Sequence, residues 1–197
     1  GRDEFHSAGP GVLPATMAAS TIGYGNESGP MWKGLAKAPL VRRSLDEFRR
    51  LTGLAVKLVP AALPTRLIKF NASGNAFCRA LACTTAGCRA CYQHQTELLS
   101  RLDRKLKPQQ VCCLAGMIHL AVPVVVAGRH IATVLGGKVR VQPADETQFA
   151  ALVKYLRQWG MSRELRQLRK AWFRAPQLTR SQLRAAMRLL DVFAQFF

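Results

Sequence analysis

Carboxylate side chains are scarce in this sequence. The 197 residues include 11 aspartates and glutamates against 29 lysines and arginines, which gives a formal net charge of +18 at pH 7. Between Phe48 and Ala144 the only acids are Glu97 and Asp103. Glycosidases need a matched pair of carboxylates, and sites for Mg²⁺, Ca²⁺ or two-metal phosphoryl transfer need several hard oxygen ligands. The middle of the chain is therefore unsuited to these kinds of active site.

Several motifs and segments are also missing. The sequence contains no G-x-x-x-x-G-K-[ST], G-x-G-x-x-G, G-x-S-x-G or H-E-x-x-H. Its longest apolar stretch, residues 117–127, contains a histidine and a proline and is shorter than the ~20 residues that a membrane-spanning helix needs. The N-terminus lacks the basic start and apolar run of a secretory signal. We therefore expect a cytoplasmic protein without a membrane partner, and not an enzyme.

Basic residues dominate the charge beyond the N-terminal segment. The first thirty residues hold one base and three acids, so residues 31–197 carry +20. Such a charge can attract nucleic acid or an acidic membrane surface. Many of the bases fall in the C-terminal third, namely Arg157, Arg163, Arg166, Arg169, Lys170, Arg174, Arg180, Arg184 and Arg188. Because they alternate with an apolar stripe, a solvated helix face is the favoured interpretation, and a basic nucleic-acid-binding domain is an alternative.

Composition and periodicity divide the chain into three segments. Residues 1–39 are rich in glycine, serine and alanine, and we interpret them as a flexible leader or cloning remnant outside the fold. Residues 40–142 form the main domain. Residues 143–197 carry three helical patterns that we expect to lead to an absent output domain.

The main domain shows the pattern of an α+β fold. Helical periodicity covers residues 45–52, 77–83 and 88–106, and strand-like runs cover residues 54–59, 65–70, 110–114, 118–126 and 130–141. This order predicts a PAS-like antiparallel sheet of about five strands with helices on one side, plus the C-terminal helical segment. A tight hairpin at residues 127–129 should join the last two strands.

Six cysteines cluster between residues 78 and 113. Cys88 and Cys91 are three residues apart, so they share the apolar face of the predicted helix. Cys112 and Cys113 are neighbours on a predicted strand and point to opposite sides, so only one of them can join an inward cluster.

These cysteines have several possible uses. They could be buried thiols that act as small hydrophobes. Alternatively, they could hold zinc or an iron–sulfur cluster, or act in redox sensing through disulfides. The metal-ligating candidates are Cys78, Cys88, Cys91 and Cys113, with His119 as a substitute for Cys88. A cysteine nucleophile is disfavoured, because no acid stands near to orient a histidine.

The same region resembles the PocR sensory domain in the order and spacing of its motifs across roughly residues 44–142. The motifs are Phe77-Cys78, Gly87-Cys88-Arg89-Ala90-Cys91, Cys113-Leu114-Ala115-Gly116-Met117, Ala121-Val122-Pro123-Val124, Gly128 and Gly136-Gly137-Lys138-Val139.

The resemblance implies a PAS-like ligand-binding module. Such modules occur in bacterial transcription regulators with an AraC-type DNA-binding domain and in two-component signalling proteins, and small hydrocarbon derivatives such as propanediols are the implied ligands. The family's cysteines correspond to Cys78, Cys91 and Cys113, whereas Cys83 and Cys112 are extra. His119 stands where an acidic or polar residue is expected.

Together these observations predict a sensory domain that binds a small apolar or hydrocarbon-derived ligand in a cysteine-containing pocket. The alternatives are a cysteine-based metal, iron–sulfur or redox sensor and a basic nucleic-acid-binding domain. The C-terminal helix, with Leu190, Phe193 and Phe197, should pack on a second copy or on the domain, so we expect a homodimer. DNA should be reached only through the output domain. The predicted ligand-binding residues are Phe70, Phe77, Cys78, Cys91, Cys113 and His119.

Overall fold

The computed structural model describes residues 28–61 and 74–197. In this part of the chain there are seven helices and four strands. The helices are α1 (Ser28–Lys37), α2 (Pro39–Thr52), α3 (Ala76–Ala82), α4 (Thr85–Lys105), α5 (Glu146–Gln158), α6 (Leu165–Phe173) and α7 (Arg180–Phe196). The strands are β1 (Ala55–Pro60), β2 (Gln109–Cys112), β3 (Ile118–Val126) and β4 (Arg129–Val139).

The four strands form one antiparallel sheet in the order β1-β4-β3-β2. β3 and β4 are joined by a two-residue turn in which Ala127 and Gly128 have φ of 48° and 75°. Positive φ at both positions is the geometry that matches the twist of a tight hairpin. The α+β class and the antiparallel sheet are as the sequence predicts. The predicted strand at residues 65–70 lies outside the described residues, so a sheet of about five strands is not confirmed.

Helices cover both faces of the sheet, so the predicted arrangement with helices on one side is wrong. Leu120 and Val122 of β3 pack in one core cluster with residues of α2 and α7. Ala121, between them, packs in another cluster with Leu98 and Leu102 of α4. The physical reason is the composition of β3, since a strand that is apolar at successive positions must be buried on both faces.

A third cluster joins α3, α5 and α6 around the connection between β2 and β3. Phe77, Met117 and Trp172 are fully buried there. Trp172 Nε1 donates a hydrogen bond of 2.9 Å to the Ala115 carbonyl oxygen. This cluster fixes the C-terminal helices α5 and α6 beside the sheet.

The remaining helices belong to the first cluster. Trp32 and Leu35 of α1, a helix inside the segment interpreted above as a leader, pack against it as partly buried residues. Leu183 and Leu190 of α7 are buried in it. Within the described ranges, no helix combines the length and the apolar character that crossing a membrane requires.

Candidate functional site

The site is built around a β-bulge in β4. Ile118 of β3 pairs with Val139 and His119 pairs with Gly137, so Lys138 is the extra residue of the bulge. Gly137 and Lys138 have φ of 95° and 63°. A left-handed backbone is costly for a lysine, and such conformations are typical of functional positions.

The bulge turns Lys138 towards the α4 side of the sheet. A Cβ added at Gly136 would meet Val56 and Leu190, and Val139 lies in the cluster with α7, so both positions face α7. Lys138, which lines a cavity together with Gln95 and Leu98 of α4, lies on the opposite side. A regular strand would have sent Lys138 to the α7 side, and the extra residue of a bulge re-aims the side chain.

Lys138 helps to enclose a small polar niche between α4 and the sheet. The cavity measures about 20 Å³, which is room for about one water molecule. Its polar lining is Lys57 of β1, Gln95 of α4, His119 of β3 and Lys138 of β4, and its other lining residues are Ala55, Leu98, Leu120, Leu135 and Gly136.

Gln95 has an unsatisfied hydrogen-bond acceptor in this niche. The residue is 4% exposed, and its Oε1 is buried without a hydrogen-bond partner. A buried acceptor without a partner costs about 1–3 kcal/mol. The niche therefore suits a molecule, water or larger, that donates a hydrogen bond to Gln95.

Two histidines form one wall of the site. The rings of His94 and His119 meet edge to face with centroids 5.2 Å apart. Burial lowers the pKa of His119 to about 3, helped by the positive charges of His94 and Lys138. Burial also lowers the pKa of His94, against the opposing effect of Glu97. Both rings are therefore neutral near pH 7, and the positive charge of the niche comes from its lysines.

The two lysines make the niche electropositive. Burial, and then the neighbouring charge of Lys138, lowers the pKa of Lys57 to about 8. A neighbouring like charge disfavours the protonated form of a lysine.

Two of the predicted cysteines, Cys78 and Cys91, lie near Lys138, and Cys113 lies near Cys78. The Lys138 charge acts on the thiols of both Cys78 and Cys91, and a charge on Cys78 would act on Cys113. Asn75 fixes this region, because its side chain donates to the Lys138 carbonyl oxygen at 2.8 Å and accepts from the Cys78 N–H at 2.9 Å. The thiols and the niche thus share Lys138.

The thiols are held in the protonated form. Burial raises the pKa of Cys78 to about 11 and that of Cys113 to about 12, and it also raises the pKa of Cys91. All six cysteines are free of disulfides. Protonated thiols are weak nucleophiles and weak metal ligands.

The residues present do not fit a metal site. In residues 28–61 and 74–197, no three histidine, cysteine or acidic side chains are grouped so that they could hold a metal ion. Zinc sites use thiolates in a closed tetrahedral set, whereas burial raises the pKa of the Cys78, Cys91 and Cys113 thiols. The set Cys78, Cys88, Cys91 and Cys113 therefore gains no support as a zinc or iron–sulfur site.

The other predicted ligand-binding residues have different positions. His119 lines the niche. Phe77 is fully buried in the cluster of α3, α5 and α6. Phe70 lies outside the described residues.

The predicted site residues do not include Lys57, Gln95 and Lys138, which line the niche. A lysine in the middle of an apolar strand and a lysine directly after two glycines were the available signals for Lys57 and Lys138. Gln95 falls on the apolar stripe of α4, where a polar residue facing the sheet needs a partner.

The fold and the niche define an α+β domain that encloses a small polar cavity between its sheet and one helix. The family model of the sensory domain found in PocR matches residues 35–197. The chain therefore belongs to the PocR sensory-domain family, and this membership indicates a ligand-sensing role. No match was found among curated proteins or among solved structures.

Proposed function

We propose that this chain is the sensory ligand-binding domain of a bacterial transcription regulator or signalling protein, and that its ligand binds in the niche between α4 and the sheet. The observation that carries this proposal is the unpartnered Oε1 of Gln95 inside a cavity that two lysines line. Enclosed cavities with a few convergent polar groups are typical ligand sites.

The ligand is a small hydrocarbon derivative that carries polar groups. Leu98 and Leu135 offer an apolar wall for a short carbon chain. The polar side chains of the niche favour such a molecule over a wholly apolar one, since an apolar ligand would leave Gln95 without a partner. The Lys138 charge acts on the thiols of Cys78 and Cys91, which supports the proposal that the ligand site includes the predicted cysteines.

Ligand entry requires α4 to separate slightly from the sheet. The cavity of about 20 Å³ has room for about one water molecule, and an organic molecule of three carbons is larger. Binding therefore selects a more open arrangement of α4, which is how a ligand shifts a protein between two states.

Lys138 connects the niche to the C-terminal helices through the end of β4. Two residues further along, the buried Arg140 guanidinium stacks on the Trp172 ring at 3.7 Å and donates to Gln148 Oε1 at 2.7 Å. The Arg140 backbone also bonds to the segment before α7, through Pro176 and Leu178. A shift of Lys138 would reach α5, α6 and α7 by this route and pass from there to an output domain that contacts DNA.

The proposed role involves binding without catalysis, in the cytoplasm. The thiols are protonated and so lack the activation that a nucleophile needs. Six cysteines without a disulfide also suit a reducing compartment.

A redox sensor is the second candidate, because Cys78, Cys91 and Cys113 influence one another's charge. Their raised pKa values predict slow oxidation. A count of free thiols before and after mild peroxide treatment tests this function, and rapid loss of two thiols per chain would favour it over ligand sensing.

Thermal stability in a panel of diols and short acids tests the main proposal. We expect at least one compound to raise the Tm of the unmodified protein, and Gln95→Leu to reduce that increase. Gln167→Leu, on the exposed side of α6, is the matched control and should keep the full increase. The proposal fails if no compound in the panel changes the Tm.

A further inference from the structure

We infer that the outer face of α6 is a contact surface for double-stranded DNA, which it binds through the phosphates without reading the base sequence. None of its residues lines the niche, so the inference goes beyond the proposed function. The domain then reaches DNA directly, in addition to the route through an output domain.

A row of basic side chains follows the exposed side of α6. Arg166, Lys170 and Arg174 are four residues apart, so they share one side of the helix, and Arg163 stands three residues before them. All four residues are exposed. Trp172, on the inner side, is fully buried in the cluster of α3, α5 and α6. The row therefore faces solvent because the opposite side of the helix packs on the domain.

Neighbouring acids do not neutralise this basic row. Within residues 28–61 and 74–197, none of its four side chains forms an ion pair. Glu146 of α5 is engaged by Arg169, which is not part of the row. Glu164, at the N-cap of α6, forms no ion pair with the row in the same part of the chain. The row thus has four positive charges beside one unpaired carboxylate.

The surroundings of the basic row favour DNA over a protein partner. Protein interfaces have an apolar centre from which charged side chains are depleted. In the described part of the chain, none of the large apolar side chains that are exposed belongs to α6. Cations without an apolar contact area suit phosphates, because phosphate contacts supply essentially all of the affinity in DNA binding that is independent of sequence.

The spacing and chemistry of the basic row also fit a phosphate backbone. Arg166 and Arg174 are eight residues apart, which is about 12 Å along a helix. Each strand of DNA carries one phosphate per about 3.4 Å of axis, so several phosphates lie within that length. Arginine binds phosphate through two parallel hydrogen bonds, and three of the four residues in the row are arginines.

Fluorescence anisotropy with a labelled duplex of arbitrary sequence tests the inference on the whole chain at pH 7. We expect a Kd on the order of 10 μM in about 50 mM salt. Each engaged cation contributes about −0.9 to the slope of log affinity against log salt concentration. Four such contacts lower the affinity about a hundredfold between about 50 mM and about 200 mM salt.

Two matched double variants assign this salt dependence to the basic row. Arg166→Gln with Lys170→Gln removes half of the row and should reduce the loss of affinity to about tenfold over the same salt range. Arg104→Gln with Lys105→Gln removes the same residue types from exposed positions at the C-terminal end of α4. This control should retain the loss of about a hundredfold.

A second variant of the row keeps the test valid if the first fails to fold. Arg163→Gln with Arg174→Gln should also reduce the loss of affinity to about tenfold. No binding of the duplex at about 100 μM unmodified protein in about 50 mM salt would overturn the inference. Equal reductions in the row variants and the α4 control would overturn it too, because DNA would then respond to net charge alone.

Vesicles that contain phosphatidylserine provide the comparison with a membrane surface. Sedimentation of the protein with these vesicles, combined with no binding to the duplex, would overturn the inference in favour of anionic lipid. These outcomes leave the proposed function untouched, because ligand binding in the niche is measured separately through the Tm.

Discussion

His119 is a histidine enclosed in the sheet, 8% exposed and next to His94 and Lys138. Its pKa falls to about 3 because burial, and then two neighbouring bases, disfavour the charged ring. The neutral ring packs beside Lys138 without adding charge to the niche. The positive charge of the niche at pH 7 therefore comes from its lysines, whereas His119 contributes to the pH dependence of folding.

Stability should fall as the pH drops below the ordinary histidine pKa of 6.5. The unfolded chain takes up a proton on His119 near pH 6.5, while the folded chain does so only near pH 3. The folded state is thus favoured above 6.5, and one such histidine costs about 1.4 kcal/mol for each pH unit below it. Urea unfolding between pH 7.5 and 5 measures this loss.

The variant His119→Gln isolates the effect of this ring from that of other groups. Its free energy of unfolding should decline less steeply between pH 6.5 and 5 than that of the unmodified protein. Part of the decline with falling pH should remain in this variant, because burial also lowers the pKa of His94. Parallel curves for the two proteins would show that His119 is not the group responsible.

At the residue scale, the sequence predicts which residue types cluster together better than it predicts where their side chains lie. The set Cys78, Cys91 and Cys113 is the one that the family resemblance implies, whereas helix and strand geometry only limit how many of the six cysteines can face inward. The chemical role of these thiols could not be predicted, because burial sets the pKa of a thiol and burial depends on the fold. The position of Lys138 could not be predicted for a related reason. Regular strand alternation would place its side chain on the α7 side of the sheet, and the bulge places it on the α4 side.

The bulge is the element on which the site depends, and Gly137 makes it possible. Its φ is 95°, and a Cβ at this position would lie 2.5 Å from the Ile118 carbonyl oxygen of β3. Any other residue would both strain the backbone and separate the two strands. The bulge therefore needs glycine for two independent reasons.

We expect Gly137→Ala to destabilise the fold by about 2–4 kcal/mol. Gly116→Ala is the matched control, because Gly116 has a similar φ of 74° with nothing within 4 Å of the added Cβ. Gly116→Ala should lower the free energy of unfolding by only about 1 kcal/mol, because it strains the backbone without a close contact. Chemical denaturation of both variants measures the difference, and equal losses would show that the close contact with β3 is relieved at little cost.

Elements were predicted well where hydrophobic periodicity is strong. β3 was expected at the residues where it is found, and α4 within three residues at its start. The placement of helices was predicted less well, because a sequence shows which face of a helix is apolar but not which face of the sheet it covers. The continuous apolar run of β3 was the available signal that both faces are buried.

At the scale of the whole molecule, α7 and the sheet form one core. Leu190 of α7 is fully buried against β3, and a Cβ at Gly136 of β4 would lie 3.7 Å from its Cδ1. The same sheet carries the niche on its other face. A change at the niche is therefore separated from α7 by one layer of strands, which supports a signalling role for this helix.

A fragment of residues 40–142 is expected not to fold by itself, although the sequence delimits it as the main domain. Removing α7 would expose the face of the sheet that it covers. Circular dichroism and the cooperativity of thermal unfolding compare this fragment with the whole chain. A fragment that melts cooperatively at a similar temperature would contradict the expectation.

Leu190→Ala tests the same packing without deleting any segment. We expect a loss of about 2–5 kcal/mol, as for other buried leucines. Leu51→Ala, at a position that is 77% exposed on α2, should change the free energy of unfolding by less than about 0.5 kcal/mol. Equal losses in the free energy of unfolding for the two variants would show that α7 does not pack in the core.

The last helix also bears on the predicted homodimer. Phe193 packs on Phe48 of the same chain, with ring centroids 6.5 Å apart, so the inner stripe of α7 is covered by its own domain. Val192 and Phe196 are four residues apart on another face and are 45% and 78% exposed. Adjacent exposed apolar side chains of this kind are typical of an interface. We therefore expect this outer face to pair with a second copy.

Light scattering at tens of micromolar should give the mass of a dimer for the unmodified protein. Phe196→Glu should convert it to a monomer, because a charge would be buried at the centre of the interface. Leu51→Glu introduces the same charge at an exposed leucine on α2 and should leave the dimer intact. A monomeric mass for the unmodified protein would rule out this interface, and the signal would then have to leave the domain along α7 of a single chain.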